Sequence, residues 1–425
     1  SIIETINSRR LLKAQPKALV DHFFRHSHSK IVAVLVNYFG LEQVVIAEDI
    51  VQDTMIEAME RWTVGGIPEA PEAWLMRVAK RKTINLLKRN QILQQKVLPQ
   101  LASEQMLSPE INFEEEQLLT DSSLKMIFAC CHPNLPTESQ VALALKSLCG
   151  FSVPEVANAL LTNEATINKR LYRAKKKFRD GSILFQLPED KILHLRLNSV
   201  FTTIYLLFNE GYYSSRNEQL IRGKLCFEAI RLQKMIVEAY PKSAKGQALL
   251  ALLYLQFARI ESRMSSEEGI IILEAQDRSV WDKELIAMGA RCLSASIQTD
   301  EVHAYQLQAG IALEHCLASS FEETNWQSIE NQYKILYQLE ANPIVALNQI
   351  IAQFYNGKRA IALKSLLQLE QNRLLYHNPL YHTTLGKFYA ALDEKTLAFE
   401  AYEMGLEFSK SPLEQKRIQK MIAEL

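Results

Sequence analysis

A cap-and-turn pattern in residues 152–179 constrains the fold more than any other feature of the chain. Ser152 is followed three positions later by Glu155. This is the spacing of a capping box, in which each side chain bonds a backbone N–H at the start of a helix. The short apolar pattern that follows reaches a turn at residues 162–163, and a second helical pattern covers residues 165–179. Two helices joined by a turn of a few residues predict a helix-turn-helix.

The second helix of this pair is strongly basic. Lys and Arg recur along it, and acids stand only next to its two ends. A helix of this kind fits the major groove of DNA, where its first turns face base edges and its later turns face phosphates. The predicted DNA contacts are Thr166, Asn168, Lys169, Arg170, Arg173, Lys175, Lys176 and Lys177. The alternative interpretation is a solvated helix with one basic face.

Two further helices are predicted near the N-terminus, one acidic and one basic. In residues 47–62 apolar side chains recur at helical spacing, and acids occupy the opposite face. Pro71 suits the first turn of the next helix, which extends to residue 89 and is basic. Trp62 and Trp74 flank the break, and their rings suit stacking on unpaired bases. The alternative is that both tryptophans are core residues and that the Lys and Arg side chains of this helix are ordinary surface charges.

The composition of the whole chain also favours helices. Of 425 residues only 14 are Gly and 13 are Pro, 48% are hydrophobic, and the net charge is +0. These values are typical of helices joined by short loops around sizeable cores. Six cysteines are too few for a disulfide framework in so long a chain. No apolar run reaches the roughly 18–20 residues that cross a bilayer. We therefore predict a soluble, cytoplasmic, all-α protein with no membrane partner.

Changes in composition divide the chain into four predicted segments. Residues 97–124 contain several acids and no Lys or Arg, which is typical of a linker. Farther along, an echo of 38 residues between Leu347 and Leu385 (385 − 347) is close to the roughly 34-residue period of tetratricopeptide helix pairs. We predict a helical bundle over 1–90, an acidic linker over 91–123, a helix-turn-helix domain over 124–182 and a tetratricopeptide-like helical array over 183–425.

Signals for other chemistry are weak. Cys130, Cys131 and His132 resemble the start of a zinc site, but no second Cys or His pair follows at ligand spacing, so buried thiols are the simpler interpretation. A candidate polar site in the C-terminal part consists of Glu210, Gln276, Asp277 and Arg278. Its alternative is a buried salt-bridge network. We predict no catalytic residue, no metal and no cofactor.

Taken together, these segments resemble the bacterial extracytoplasmic-function (ECF) sigma factors. Residues 47–53 (AEDIVQD) and 71–75 (PEAWL) are similar to sigma region 2. Residues 151–157 (FSVPEVA) and 166–175 (TINKRLYRAK) are similar to sigma region 4. The segments similar to the subgroup with a long tetratricopeptide-like extension are 127–133, 207–212, 276–279, 324–326 and 342–348. The resemblance therefore covers essentially the whole chain.

The resemblance implies roles in transcription initiation. The acidic face of residues 47–62 is expected to bind the β′ clamp helices of core RNA polymerase, and the helix-turn-helix is expected to read the −35 element of promoter DNA. The acidic linker is expected to thread toward the active-site and RNA-exit channel. The implied polymerase contacts are Glu48, Asp49, Gln52 and Asp53, and the implied −10 contacts are Arg61, Trp62, Trp74, Arg77, Lys80 and Arg81. Asn85 is a departure, because family members often carry an acid near the end of this basic helix.

The extension is expected to modulate activity, either by packing on regions 2 and 4 or by binding a protein partner or a small ligand. Two other functions remain open from the sequence. One is a helix-turn-helix transcriptional regulator with a helical sensor domain, which would bind duplex DNA alone. The acidic helix and the two tryptophans argue against it, because a simple regulator needs neither. The other is an enzyme that uses residues 276–282 beside Glu210, although no recognised catalytic spacing supports it.

Overall fold

The computed structural model describes residues 16–89, 113–160, 162–212, 219–265, 269–298, 302–409 and 412–425. In these residues the regular structure is helical, apart from one antiparallel pair of two-residue strands, β1 (Met264–Ser265) and β2 (Gly269–Ile270). The predicted all-α class is confirmed. The chain divides into two compact units, Ser1–Leu207 and Phe208–Leu425.

The first unit begins with a helical bundle built around its first helix. The bundle helices are α1 (Pro16–Phe39), α2 (Val44–Gly65), α3 (Pro71–Arg89) and α4 (Phe113–Cys130). Helix α1 packs against the other three, and its residues 31–36 are all buried. It ends at Gly40, whose φ of 93° lies in the left-handed region that favours glycine. The uninterrupted apolar run in α1 is explained by this position, because the helix has neighbours on several sides.

The predicted helix-turn-helix is confirmed. Its helices are α6 (Val153–Ala159) and α7 (Glu164–Arg179), which follow α5 (Thr137–Leu143). Both parts of the capping box are formed, since Glu155 accepts a hydrogen bond from the backbone N–H of Ser152 at 2.8 Å and donates its own N–H to Ser152 Oγ at 3.4 Å. Asn163 caps α7 by accepting from the N–H of Thr166 at 2.8 Å. The capping chemistry thus fixes where both helices begin.

The predicted linker over 91–123 differs from the structure at its C-terminal end. Residues 90–112 lie outside the described residues, whereas residues 113–123 belong to α4. The physical reason is that glutamate is a good helix former, so an acidic composition does not separate a linker from the first turns of a helix.

The C-terminal extension also begins differently from the predicted boundary at 182/183. Helix α8 (Asp190–Tyr212) contains the boundary between the two compact units. Its first half donates hydrogen bonds from Arg196 Nη2 to the carbonyl of Phe128 and from Ser199 Oγ to the carbonyl of Cys131, both at 2.7 Å. These carbonyls lie at the C-terminal end of α4, where the helix itself supplies no partners. The first half of α8 therefore completes the region that precedes it.

The second unit is a series of helices. They are α9 (Gln219–Ala239), α10 (Ala244–Phe257), α11 (Lys283–Ser296), α12 (Ala304–Leu317), α13 (Trp326–Leu339), α14 (Pro343–Tyr355), α15 (Arg359–Gln368), α16 (Arg373–Tyr376), α17 (Pro379–Ala390), α18 (Lys395–Phe408) and α19 (Pro412–Ala423). Neighbours in the series pack against each other, as α10 does with α11 and α17 with α18. A helical C-terminal region is confirmed, and its tetratricopeptide-like character stays a prediction.

Two helices of this unit begin 36 residues apart, whereas the apolar pattern in the sequence indicated 38. Helices α14 and α17 both start with proline after a capping asparagine, and Pro343 and Pro379 are 36 positions apart (379 − 343). The turns that follow place Gly357 and Asp393 at positive φ with the same spacing. The 38-residue echo paired apolar residues alone, whereas caps and turns set the register of the helices.

Candidate nucleic-acid interface

Helix α7 has one buried face and one exposed basic face. Ile167, Leu171, Ala174 and Phe178 are buried. The predicted DNA contacts that lie on the exposed face are Asn168, Lys169, Arg173 and Lys176. Thr166 is half-buried, and its hydroxyl donates to the Asn163 carboxamide oxygen at 2.9 Å. The exposed face therefore offers three cations and one amide above a helix whose opposite side is locked in the core.

Three of the predicted DNA contacts are held by other parts of the chain. Arg170 Nη2 lies 2.7 Å from Glu138 Oε2, and Lys177 Nζ donates to the carbonyl of Asn134 at 2.5 Å. Lys175 Nζ lies 2.6 Å from Glu48 Oε2. The pattern contained a signal for Lys175, because it stands four positions after Leu171 and so lies next to the buried stripe.

Two residues of α7 that were not among the predicted contacts extend its exposed face. Tyr172 is 62% exposed, and the guanidinium carbon of Arg179 lies 5.7 Å from the centroid of its ring. Arg179 is also exposed and continues the basic run. The signal for both is their spacing, since Tyr172 follows Asn168 by four residues and Arg179 follows Tyr172 by seven, about one and two helical turns along one side of the helix.

Helices α2 and α3 bring the two tryptophans together. The rings of Trp62 and Trp74 meet edge to face with centroids 5.5 Å apart, and both side chains are half-buried. Arg77 and Arg81 are exposed on α3. Arg61 pairs with Glu57 at 2.9 Å, a carboxylate that Lys82 also reaches at 3.0 Å.

The basic helix also contacts α1. Lys80 Nζ lies 5.8 Å from the centroid of the Tyr38 ring, a cation–π geometry. Lys82 was not a predicted contact, and its ammonium also donates to the Asp53 carbonyl at 3.0 Å. The −10 contacts predicted on α2 and α3 therefore combine exposed arginines, a half-buried pair of tryptophan rings and a lysine in cation–π contact with a tyrosine ring.

The predicted polymerase contacts on α2 separate into two groups. Asp49, Gln52 and Asp53 are exposed. Glu48 is 6% exposed and lies between the two halves of the first unit, where it accepts hydrogen bonds from Ser147 Oγ at 2.8 Å and Lys175 Nζ at 2.6 Å. A predicted polymerase contact and a predicted DNA contact thus neutralise each other in the folded chain.

The predicted C-terminal polar site is only partly brought together. Gln276 donates to the carbonyl of Ile271 at 3.0 Å, and Arg278 Nη1 donates to the carbonyls of His315 and Ala318 at 2.5 Å and 2.9 Å. Asp277 is exposed and caps the turn after it by accepting from the N–H of Ser279 at 2.9 Å. Burial raises the pKa of the Glu210 carboxyl. The alternative of a buried salt-bridge network does not describe Arg278, because its Nη1 donates to backbone carbonyls and not to a carboxylate.

The cysteine and histidine cluster after α4 has the character of buried thiols. Cys130 and Cys131 are both fully covered, and burial raises the pKa of Cys131 to about 12. Burial also lowers the pKa of His132 to about 4, and its Nδ1 accepts from the N–H of Asn134 at 3.1 Å. Among the described residues, no group of three His, Cys, Asp or Glu side chains is placed to hold a metal ion.

Comparison with known proteins assigns the two halves of the first unit. A model of sigma-70 region 2 matches residues 23–92, and a model of sigma-70, region 4 matches residues 125–178. The ECF RNA polymerase sigma factor SigE of Mycolicibacterium smegmatis (strain ATCC 700084 / mc(2)155) is 26% identical over 134 residues, which are 32% of this chain and 51% of that protein. The chain belongs to the ECF-like sigma factors and carries a C-terminal extension.

The extension of this sigma factor is shared with at least one relative. An uncharacterized protein of Rhizobium meliloti (strain 1021), R00370, is 30% identical over 403 residues, which cover 92% of this chain and 93% of that protein. A family of unknown function, DUF6596, matches residues 196–297. No solved structure matches the chain. None of the described helices combines the length and the apolar character that crossing a membrane requires.

The stability of the sigma factor is expected to fall as the pH drops from about 6.5 to about 4. Burial lowers the pKa of His28 to about 4, against the opposing charge of Glu48 and with the help of Lys146. Between these two pH values His28 is protonated in the unfolded chain and neutral in the folded protein. Acid therefore lowers the free energy of unfolding by about 2–3 kcal/mol through this group. Urea denaturation at pH 7 and pH 4.5 measures the loss.

The matched variants are His28→Asn and, at an exposed position, His194→Asn. The first should reduce the pH dependence by the contribution of His28, while His132 and His315, whose pKa values burial also lowers, keep theirs, and the second should leave it as in the wild type. Equal pH dependence in all three proteins would contradict the assignment to His28.

Proposed function

We propose that this sigma factor binds the β′ clamp helices of core RNA polymerase through the exposed acidic side of α2 and recognises promoters with α3 and α7. The observation that carries the proposal is the exposed face of α7, where Asn168, Lys169, Arg173 and Lys176 stand free of the core that fixes the helix. Cations on such a face suit phosphates, and an amide suits the edge of adenine. Helix α7 would then lie on the −35 element.

The acidic side of α2 supports the polymerase part of the proposal. Asp49, Gln52 and Asp53 are exposed on neighbouring turns, and a carboxylate-rich surface suits a basic partner. Helix α3 would hold the −10 element with Arg77 and Arg81, next to the ring pair of Trp62 and Trp74. Aromatic rings beside cations are typical of surfaces that hold unpaired bases.

The Glu48–Lys175 pair gives the proposed function a step before binding. If Glu48 contacts polymerase and Lys175 contacts a phosphate, the two must first separate. The pair is mostly buried, and separating it leaves each charge without its partner. Each charge therefore needs a replacement partner when the pair separates. A basic polymerase surface would replace Lys175, and a DNA phosphate would replace Glu48. Binding of polymerase and promoter would therefore favour the same opened form of the first unit.

The extension is proposed to modulate this activity. The test must keep the first half of α8, because it supplies the hydrogen bonds that complete the end of α4. A deletion after residue 182 would remove them together with the rest of the extension, whereas a deletion after residue 212 would keep them. If the chain that ends at residue 212 gave the same transcript yield and the same polymerase affinity as the wild type, the proposal that the extension modulates activity would be wrong.

Replacing Asp49 and Asp53 by lysine should abolish transcription that depends on this chain. Reversing two exposed charges on α2 sets like charges against a basic partner, which costs several kcal/mol of binding free energy. Run-off transcription with core polymerase measures the effect, and pull-down of the core enzyme measures the affinity. Glu403→Lys is the control, since Glu403 is an exposed acid on α18.

The alternative function makes the opposite forecast in the same assay. A helix-turn-helix regulator with a helical sensor domain binds duplex DNA alone, so it would give no transcript above background with core polymerase. Wild-type activity in the double variant would also argue against the proposed docking on α2. The enzyme alternative would use residues 276–282 beside Glu210, and within this stretch the Asp277 carboxylate caps an exposed turn.

A further inference from the structure

Two guanidinium groups share one buried indole ring in the C-terminal unit. Trp281 is 4% exposed, and the Cζ atoms of Arg278 and Arg259 lie 4.8 Å and 5.7 Å from the centroid of its ring. The indole N–H donates to Ser262 Oγ at 2.7 Å, which fixes the orientation of the ring. The charge of Arg259 acts on the Arg278 guanidinium, and two like charges disfavour each other in a buried cluster.

Arg278 retains an unused donor in this cluster. Its Nη1 is committed to the carbonyls of His315 and Ala318, but its Nη2 is buried and has no acceptor among the described residues. Burial lowers the pKa of this guanidinium and the charge of Arg259 acts in the same direction, whereas Cys316 and the exposed carboxylate of Glu322 oppose them. A buried donor without an acceptor is destabilising, and more so when it belongs to a charged group.

His315 completes the cluster without adding charge. Its side chain is 8% exposed, and its Nδ1 has no hydrogen-bond partner among the described residues. Burial, followed by the charges of Arg259 and Arg278, lowers its pKa to about 3. The ring is therefore neutral near pH 7 and leaves a nitrogen beside the two guanidinium groups for a ligand.

We propose that Arg278, Arg259 and His315 form a binding site for a small oxyanion, a ligand that presents a carboxylate or phosphate group. Such a group accepts a hydrogen bond from the free Nη2 of Arg278 and places negative charge beside the guanidinium groups, and the planar guanidinium fork matches its geometry. The ligand is small because Trp281, Arg259 and His315 are each less than one-tenth exposed, which excludes a nucleic-acid or peptide backbone. Arg259 and Arg278 lie within the stretch matched by the family of unknown function.

Calorimetric titration of the full-length chain with inorganic phosphate and, separately, with succinate at constant ionic strength tests the proposal. The wild type should bind one or both of them saturably, with one site per chain. Arg278→Gln should weaken that binding at least about tenfold, because it removes a hydrogen bond between charged groups. Arg173→Gln should change the affinity less than about twofold, although α7 is where phosphate would bind without specificity.

The outcomes separate clearly. Binding of phosphate alone, of succinate alone or of both supports the site and identifies the group that it accepts. No saturable binding of either by the wild type overturns it, as does equal binding by Arg278→Gln or a loss confined to Arg173→Gln. If circular dichroism shows that Arg278→Gln is unfolded, Arg278→Lys keeps the charge and loses the fork. That variant should bind more weakly than the wild type, and unchanged affinity would overturn the proposal.

Discussion

Replacing Glu48 by alanine is expected to destabilise the first unit by about 3 kcal/mol or more. Lys175 would keep its charge in a position where its side chain is 14% exposed, and Ser147 would lose its acceptor. Removing one partner of a buried ion pair is strongly destabilising, because the other charge stays buried and uncompensated. Urea denaturation at pH 7 measures the change in the free energy of unfolding.

The ion pair between Arg170 and Glu138 supplies a matched control on the same helix. Its N–O distance of 2.7 Å is similar, but the Glu138 side chain is 73% exposed. Exposed pairs contribute about 0–1 kcal/mol, so Glu138→Ala should have a small effect. If Glu48→Ala cost no more than Glu138→Ala, the Glu48–Lys175 pair would not join the two halves of this unit in the way its burial indicates.

Exchange of the two charges separates stability from function. The double variant Glu48→Lys, Lys175→Glu should recover most of the lost free energy of unfolding, since it restores a pair of opposite charges at the same positions. It should not recover affinity for core polymerase if Glu48 itself contacts the clamp helices. Recovery of both would mean that Glu48 acts only by holding α7, and the polymerase contact would then belong to Asp49, Gln52 and Asp53 alone.

Replacing Lys169, Arg173 and Lys176 together by alanine should weaken promoter binding about 1,000-fold or more. All three are exposed on α7, and each hydrogen bond to a charged group contributes about 1.5 kcal/mol or more. The dependence of the logarithm of affinity on the logarithm of salt concentration should become shallower by roughly 2.7, at about 0.9 per phosphate. Fluorescence anisotropy of a promoter fragment with the holoenzyme gives both quantities.

Lys242→Ala is the control for this triple variant, because Lys242 is an exposed lysine in the C-terminal unit. It should alter neither the affinity nor the salt dependence. A triple variant with wild-type affinity would remove α7 from the promoter interface. A triple variant with weaker affinity and an unchanged salt dependence would mean that these side chains do not neutralise phosphates.

The local elements were predictable because their causes lie within a few residues of sequence. The capping box at Ser152 and Glu155 forms as its spacing requires, and the stripe of Ile167, Leu171, Ala174 and Phe178 faces the core as its helical period requires. Hydrogen bonds of caps and the period of a helix depend on neighbours three or four positions away. The family resemblance rests on these same local patterns, and the comparisons bear it out.

Boundaries and repeat register were less predictable. The acidic stretch before residue 124 reads as a linker by composition, yet residues 113–123 are helical. The first half of α8 completes α4 from a distance of 68 positions. Composition cannot show which carbonyls a distant side chain will reach, because that depends on how the helices pack.

The sequence by itself determined that the chain is mainly helical, which helices are basic and that two helices form a helix-turn-helix. Only the tertiary structure decided which charges remain available to a partner. Lys175 and Lys176 are adjacent and chemically identical, but a turn of about 100° per residue points the first toward Glu48, 127 positions earlier, and the second toward solvent. Charge is a property of the residue, whereas its freedom to bind depends on what the fold packs against it.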